Sequence, residues 1–345
     1  MSLRTQTIDP LTDERWQTHV AANRRASIFH HVEWLRLLHS QYRYRMLAHC
    51  VLDPSGDIVV ALPFAHVTSR LTGNRLVALP FSDLCPILSG GAEDEDAVEL
   101  LVRSLRDEHE RLGINVEVRT ALSGIPASGK AFYQHEIALD ADVDVVSRRF
   151  RGNVRRDVAR AGREGIEVRR GTSIADLDAF YSLHLRTRRR QGVPTQPQRF
   201  IRRFGRLFDA DLGFVILATL DDVPVASAVC LKWGDTLTYK YSASEPEYMK
   251  KRPNYAILME AIRCGCEAGL TTLDLGRTDL DNEGLRTFKR GWGSVEHELT
   301  YGALSRKPRS NKGSTGVPRI ARTLISRTPP IAGRLAGVAL YRHFG

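Results

Sequence analysis

The sequence predicts an α+β protein built from two similar units, each a mixed sheet flanked by helices. A chain of 345 residues is long enough for two domains, at roughly 150 residues per domain. One pattern of strands and a helix occurs twice along the chain. The 42% hydrophobic and 26% charged residues are typical of globular domains, which excludes a disordered, collagen-like or coiled-coil chain as a whole.

The first copy of the pattern starts with an apolar run, a turn and a second apolar run over residues 44–67. A further strand is predicted at 75–81. A helix follows, because apolar residues recur three or four positions apart from Leu101 to Leu105. Gly113 ends this helix, since glycine adopts a positive φ at low cost, and a short strand comes next.

The second copy has the same order: a hairpin over 213–233, a strand over 236–244, a helix that ends at Gly269 and a short strand. Helices precede it. An apolar residue recurs every four positions from Val146 to Val158, which predicts one buried helix face. Ser173 and Asp176 are spaced as a capping box at the start of the next helix. Gly192 and Pro194 end that helix after a run of arginines.

These elements predict an N-terminal domain over residues 1–140, a C-terminal domain over 141–305, and a basic linker and tail over 306–345. The net charge of +10 is divided unevenly between them. Residues 1–140 carry a net charge of −4, and the remainder carries +14. A basic second half favours an anionic partner, such as a nucleotide, RNA or an acidic membrane surface.

The sequence favours a reduced, cytoplasmic protein that holds no metal. The first residues lack the apolar core of a secretory signal, and no apolar run is long enough to span a membrane. The five cysteines have no zinc-type spacing, which predicts reduced thiols in the core. His30 and His31 are neighbours that point in different directions, so they do not predict a metal site.

Three segments carry a resemblance to a known family. They are FRGNVRRDVARAGREG (150–165), LHLRTRRRQGVP (183–194) and the most specific one, GRTDLDNEGLRTFKRGWG (276–293). Together they resemble the Fem family, whose members carry tandem GNAT-like acyltransferase domains. The resemblance covers about residues 20–305. It implies two tandem GNAT-like domains, with the catalytic one C-terminal.

The resemblance also implies a reaction. Fem enzymes transfer an aminoacyl group from aminoacyl-tRNA to an amine or hydroxyl of a peptidoglycan precursor or a small metabolite. The partners expected are therefore aminoacyl-tRNA and a small-molecule or lipid-linked acceptor, with no cofactor beyond the co-substrate. The alternative is an acyl-CoA-dependent N-acyltransferase of the GNAT type. A third hypothesis is a non-catalytic membrane-surface protein, because the basic tail favours peripheral contact with anionic lipid.

Acyl transfer requires a donor carbonyl held close to the acceptor and stabilisation of the oxyanion. The acceptor supplies the nucleophile, so no Ser-His-Asp set is needed. Lys289 lies beside Phe288 in FKRGWG, and partial desolvation would strengthen the effect of its charge on an oxyanion. In the family the matching Phe-Lys pair is implicated in acyl transfer, which implies catalytic roles for Phe288 and Lys289. The alternative is a surface lysine in a turn.

Substrate-binding residues are expected around two strand ends. Asp274 and Arg277 follow a short strand, where Arg277 would clamp a phosphate or the two would form an internal ion pair. Tyr239 and Tyr241 alternate on one strand and are expected to share a face, lining the acceptor cleft or packing in the core. Two further candidates are Trp292, near Lys289, and Asp83, where the family has an acceptor pocket; a turn residue is the alternative for Asp83.

Three basic segments are the candidates for contact with tRNA or another phosphate. Lys250, Lys251 and Arg252 precede a helix where CoA-binding relatives have a glycine-rich loop. No glycine occurs between Gly234 and Gly265, which weakens the CoA alternative. The second segment, residues 186–206, has eight arginines, among them Arg188, Arg189 and Arg190, and no acidic residue. It and a third, arginine-rich segment over 148–163 would contact the tRNA backbone or form a solvated face.

Overall fold

The computed structural model describes residues 3–69, 72–90, 94–305 and 341–343. Up to residue 138 the elements are β1 (Arg4–Ile8), α1 (Glu14–Ala22), α2 (Val32–Tyr42), β2 (Arg45–Leu52), β3 (Ile58–Ser69), β4 (Gly73–Val77), α3 (Glu95–Leu112), β5 (Asn115–Val118) and β6 (Ala127–Ala138). After it come α4 (Val143–Arg148), α5 (Gly152–Arg163), β7 (Glu167–Gly171), α6 (Ile174–Arg190), α7 (Gln198–Arg202), α8 (Phe204–Asp209), β8 (Gly213–Leu220), β9 (Val223–Trp233), β10 (Thr236–Ser244), α9 (Pro253–Glu267), β11 (Thr272–Asp279), α10 (Glu283–Gly291) and β12 (Val295–Leu304).

The chain forms two compact units. Among the described residues, unit 1 contains those up to Phe132 together with 298–305 and 341–343, and unit 2 contains 133–297. The sequence placed 298–305 in the second domain, whereas here they belong to unit 1 because β12 pairs with β5. The predicted linker and tail, and with them the membrane contact, lie outside the described residues apart from 341–343.

Unit 1 contains a mixed sheet with the strand order β1-β2-β3-β4-β5-β12. The ladders β2–β3 and β3–β4 are antiparallel, and β4–β5 is parallel. The helix α3 connects the parallel pair and ends at Gly113, whose φ is 66°. The strand predicted at 75–81 is shorter, since β4 stops at Val77 and both Leu79 and Phe81 have positive φ.

Unit 2 repeats the same arrangement. The ladders β8–β9 and β9–β10 are antiparallel, β10–β11 is parallel, and α9 connects the parallel pair. Asp221 and Asp222, both with positive φ, form the two-residue turn of the β8–β9 hairpin. The strand β7 pairs with β8 at the other side. The α+β class, with mixed sheets flanked by helices, is therefore confirmed, and so is the internal repeat.

The helices of unit 2 follow the sequence with one exception. Ser173 and Asp176 form the predicted capping box at the start of α6. The apolar spacing from Val146 to Val158 predicted a single helix face, but the chain forms two helices, α4 and α5, interrupted at 149–151. The break is fixed by a 2.9 Å hydrogen bond from the Arg151 amide to the Gly291 carbonyl. None of the helices that the structure describes is long and apolar enough to cross a bilayer.

A β-bulge at Lys240 changes the directions of the two tyrosines on β10. Tyr239 pairs with Cys230, and Tyr241 pairs with Val229, the neighbouring residue. Cys230 and Val229 are neighbours on β9, so their side chains point to opposite faces of the sheet. Each tyrosine points to the same face as its partner, so the two tyrosines also point to opposite faces. Tyr239 packs against the core formed with α5 and α9, whereas Tyr241 faces α6 and α8. The expectation that they share a face is therefore wrong.

Candidate active site

Lys289 is buried on α10, with only 6% of its surface exposed. Its ammonium donates hydrogen bonds to the backbone carbonyls of Gly276 and Arg277 at 2.8 and 3.3 Å. The side chain of Asn282 starts the helix by accepting from the Leu285 amide at 3.1 Å. The helix thereby holds a desolvated positive charge against the backbone of β11.

The backbone that receives Lys289 has an unusual conformation at Gly276, whose φ is 67°. The Gly276 amide donates to the Asp274 carboxylate at 2.7 Å, and the side chain of Gln134 donates to the same oxygen. A short polar side chain that accepts from an amide two residues later stabilises such a turn. Asp274, a predicted substrate ligand, therefore shapes the turn that presents the Gly276 carbonyl to Lys289.

His135 and Glu296 form a second polar group near Lys289. Glu296 lies 3.0 Å from His135 Nε2 and accepts two bonds from Arg286, at 3.1 and 2.8 Å. The guanidinium of Arg286 stacks 3.9 Å from the ring centre of Tyr133. The hydrogen bond from Arg286 lowers the pKa of Glu296. Burial, reinforced by the charge of Lys289, lowers the pKa of His135, which favours a neutral imidazole.

The two aromatic residues of FKRGWG pack in the core of unit 2. Trp292 is fully buried, with ring centres 5.1 Å from Phe150 and 5.7 Å from Tyr255. Phe288 is partly buried and lies 5.4 Å from Tyr255. A Cβ on Gly293 would lie 2.9 Å from the Cβ of Arg149, so glycine permits this close approach. The structure thus places Trp292, predicted to bind substrate, inside the core of unit 2.

The remaining substrate candidates are dispersed. Arg277 is partly exposed on β11. Burial raises the pKa of Tyr239, which keeps its hydroxyl protonated. The ring of Tyr241 lies 5.7 Å from that of His184. Asp83 belongs to unit 1, where its carbonyl accepts from the hydroxyl of Tyr301.

The predicted phosphate ligands are partly engaged by carboxylates and carbonyls. Lys251 pairs with Glu164 at 3.2 Å, and Arg252 pairs with Asp157 at 2.9 Å. Lys250 is exposed. In the second segment, Arg188 donates to the Pro194 carbonyl at 3.3 Å and Arg190 to the Ser244 carbonyl at 3.2 Å. Arg189 is partly exposed.

Sequence reasoning missed four residues around Lys289, namely Gln134, His135, Gly276 and Glu296. Only Gly276 lies in a segment that the sequence singled out, GRTDLDNEGLRTFKRGWG (276–293). Cysteine chemistry does not contribute to the site, because all five thiols are free and buried, and burial raises the pKa of Cys264 to about 12. Among the described residues no three His, Cys, Asp or Glu side chains are grouped so as to hold a metal.

Comparisons with known proteins agree with this fold. Residues 148–290 match the family model of the acetyltransferase (GNAT) domain. A segment of 134 residues is 27% identical to the UDP-N-acetylmuramoylpentapeptide-lysine N(6)-alanyltransferase of Weissella viridescens, and it spans 38% of this chain and 40% of that enzyme.

Two solved structures share the fold over most of the chain. The crystal structure of FemX matches with a TM-score of 0.66 at 15% identity, covering 86% of this chain and 96% of FemX. A tandem GNAT protein from the clavulanic acid biosynthesis pathway matches with a TM-score of 0.54 at 14% identity, covering 90% of this chain and all of that one (100%). The chain thus has the tandem GNAT fold, and its predicted resemblance to the Fem-like aminoacyltransferases is confirmed.

Proposed function

We propose that the protein is an acyltransferase that moves an aminoacyl group from aminoacyl-tRNA to an amine of a peptidoglycan precursor. A hydroxyl acceptor or a small metabolite is the wider class. The observation that carries the proposal is the buried ammonium of Lys289, held at the bend of β11 within the segment 148–290 that matches the GNAT domain. The similarity to a peptidoglycan-precursor enzyme favours that acceptor class.

The bonds and the proton in the proposed reaction balance between the two substrates. The acceptor nitrogen attacks the ester carbonyl of the aminoacyl-tRNA, and a C–N bond forms. The C–O bond to the terminal ribose then breaks, and the proton lost by the amine passes to the departing ribose oxygen. No electron is exchanged with a redox partner. The protein has to orient both substrates and stabilise the negative charge on the carbonyl oxygen.

Lys289 is suited to that stabilisation. Its hydrogen bond to Arg277, at 3.3 Å, is longer than its bond to Gly276. We expect this bond to be exchanged for one to the oxyanion, while the 2.8 Å bond to Gly276 keeps the ammonium in place. A charge in a desolvated site acts more strongly than one in water. His135 and Glu296 would support the site by holding β6 and β12 in register with α10.

The start of α9 supports tRNA over acyl-CoA as the donor. A CoA pyrophosphate would sit on free backbone amides at a helix N-terminus. Here Pro253 occupies the first turn and has no amide hydrogen to donate. The cations beside it, Lys251 and Arg252, are paired with Glu164 and Asp157. A pyrophosphate would have to displace both ion pairs, which disfavours the CoA alternative.

Acyl release from charged tRNA tests the proposal. Total tRNA charged with a mixture of labelled amino acids is incubated with the protein, with and without UDP-N-acetylmuramoyl pentapeptide, and acetyl-CoA is tested in parallel. We expect labelled product only when charged tRNA, protein and acceptor are all present. Acetyl transfer from acetyl-CoA, with no product from charged tRNA, would instead establish the N-acyltransferase alternative. The same assay in cell fractions would test the cytoplasmic location that the reduced cysteines favour.

A further inference from the structure

A cleft in unit 2, about 380 Å³ in volume, is lined almost entirely by arginine. Its lining residues are Gln198, Arg199, Arg202, Arg203 and Arg206, and we call it the arginine cleft. All five lie within the arginine-rich segment 186–206, for which the sequence predicted contact with the tRNA backbone without singling out these residues. The helices α7 and α8 and the residue that joins them, Arg203, supply all of them, so the cleft is formed within one short stretch of chain.

The arginines face outward because the opposite side of the same helices is anchored in the core. Arg203 connects α7 to α8 with a φ of −68° and a ψ of −15°, so the helical path continues through it. Phe200 and Phe204 are fully buried on the inner side, with ring centres 5.4 Å apart. Phe204 also lies 6.1 Å from the ring of Tyr241 on β10. This packing fixes the outer side as a cationic surface.

The positive charge of the cleft is only partly compensated. Arg202 forms a bidentate pair with Asp178, with distances of 2.8 and 2.6 Å. Arg199 and Arg206 are exposed, and the side chain of neither has a hydrogen-bond or ion-pair partner among the residues that the structure describes. Two guanidinium groups are therefore available to an anion. Each is permanently charged and presents a fork of donors that matches a phosphate.

We propose that the arginine cleft binds the phosphate backbone of the aminoacyl-tRNA donor, an inference that rests on the proposed function. A pocket for a small metabolite is usually lined by apolar and aromatic side chains. The arginine cleft instead offers charge and open surface, which suits a chain of phosphodiesters. Phosphate contacts position a nucleic acid without reading its sequence. The cleft would therefore orient the RNA, while the site at Lys289 acts on the ester.

The test compares the double variant Arg199→Gln/Arg206→Gln with a control that loses the same charge elsewhere. The control is Arg106→Gln/Arg111→Gln, two exposed arginines on α3 of unit 1. Both pairs lie on helix surfaces, so neither double variant should unfold the protein. We measure KM for charged tRNA, KM for the UDP-linked acceptor, kcat, and the salt dependence of tRNA affinity measured by filter binding.

For the cleft variant we expect KM for charged tRNA to rise roughly tenfold, with kcat and the acceptor KM little changed. The slope of log affinity against log salt should become shallower by about 1.4, because each of two phosphates that the variant no longer neutralises accounts for roughly 0.7. The control should match the wild type. Equal behaviour of the two double variants would overturn the inference while leaving the proposed function intact. A rise confined to the acceptor KM would assign the cleft to the acceptor's diphosphate and would also overturn it.

The proposed function fails by a different result. If the wild type releases no acyl group from charged tRNA but acetylates the acceptor from acetyl-CoA, the donor assignment is wrong. The filter-binding comparison still decides the cleft in that case, because it needs no catalysis. Equal tRNA affinity of wild type and cleft variant would then exclude an RNA surface at Arg199 and Arg206.

Discussion

The ammonium of Lys289 donates a 2.8 Å hydrogen bond to the carbonyl of Gly276. The backbone at Gly276 has a positive φ of 67°, and this conformation directs the carbonyl towards the lysine. Lys289 and the bend in β11 therefore act together as one structural unit. A buried charge is stable only where polar groups replace its lost water. The two carbonyls supply that replacement, and they fix the position of the charge.

We expect Lys289→Met to lower the single-turnover rate about 10²–10³-fold at saturating substrates, the effect of removing one oxyanion donor. Methionine keeps most of the apolar stem, so the variant should remain folded. Arg290→Met is the matched control, because the adjacent side chain pairs with Glu283 instead. An unchanged rate in Lys289→Met would remove this lysine from the mechanism.

Gly276→Ala should lower both stability and rate. Alanine in the left-handed region costs about 1–2 kcal/mol, and relief of that strain would turn the carbonyl away from Lys289. Urea unfolding measures the first effect and single-turnover kinetics the second. Gly284→Ala in α10 is the control, since its site is nearly open and its helical conformation suits alanine. A loss of rate as large in the control as in Gly276→Ala would contradict this view.

Trp292→Ala should be severely destabilising, by about 3–5 kcal/mol, the usual cost of truncating a buried aromatic side chain. The residue is fully buried against Phe150 and Tyr255, so its main role is in packing. At low temperature, where the variant is still folded, we expect KM for both substrates to stay within a few-fold of the wild type. A large rise in KM without loss of stability would return Trp292 to the substrate site.

Stability should fall as the pH drops below about 6.5, the ordinary pKa of histidine. Burial lowers the pKa of His184 to about 3 and that of His30 to about 4. Both are therefore neutral when folded but become protonated when unfolded. Above pH 6.5 each neutral histidine makes its full contribution to the free energy of unfolding. As the pH falls from 6.5 towards the pKa of the folded state, this contribution decreases by about 1.4 kcal/mol per pH unit.

Urea unfolding between pH 7.5 and 5 measures this slope, in a range above the titration of most carboxylates. We expect the variant His184→Gln to have a shallower slope than the wild type, whatever its absolute stability. Identical slopes would mean that His184 is protonated in the folded state over this range.

Local sequence features predicted much of this fold because they act over a few residues. The capping box of Ser173 and Asp176 and the helix end at Gly113 depend only on neighbouring backbone, and both are present. The repeated order of strands and helix was likewise visible from apolar runs. The Lys240 bulge was not, since an extra residue in a strand depends on pairing with a distant strand.

The candidate site was predicted only in part, because several of its contacts join residues that are far apart in the sequence. Lys289 was identified by its motif, but the partners of its ammonium lie on another element, where nothing in the sequence marks the Gly276 carbonyl as an acceptor. The role of Asp274 in the turn, and the burial of Trp292, also depend on tertiary packing. Composition predicted an arginine-rich surface between 186 and 206, but not which arginines remain without carboxylate partners.

The pairing of β12 with β5 has a consequence for synthesis of the chain. Residues 302–304 pair with Val116–Val118, so the sheet of unit 1 lacks this strand until nearly the whole described chain has left the ribosome. During that interval the backbone groups of β5 along this edge have no β12 to pair with, and such an edge is prone to association with other strands. A fragment ending near residue 140 would keep this edge permanently. Unit 1 therefore begins to form first, but its sheet is completed only after unit 2 has been synthesised.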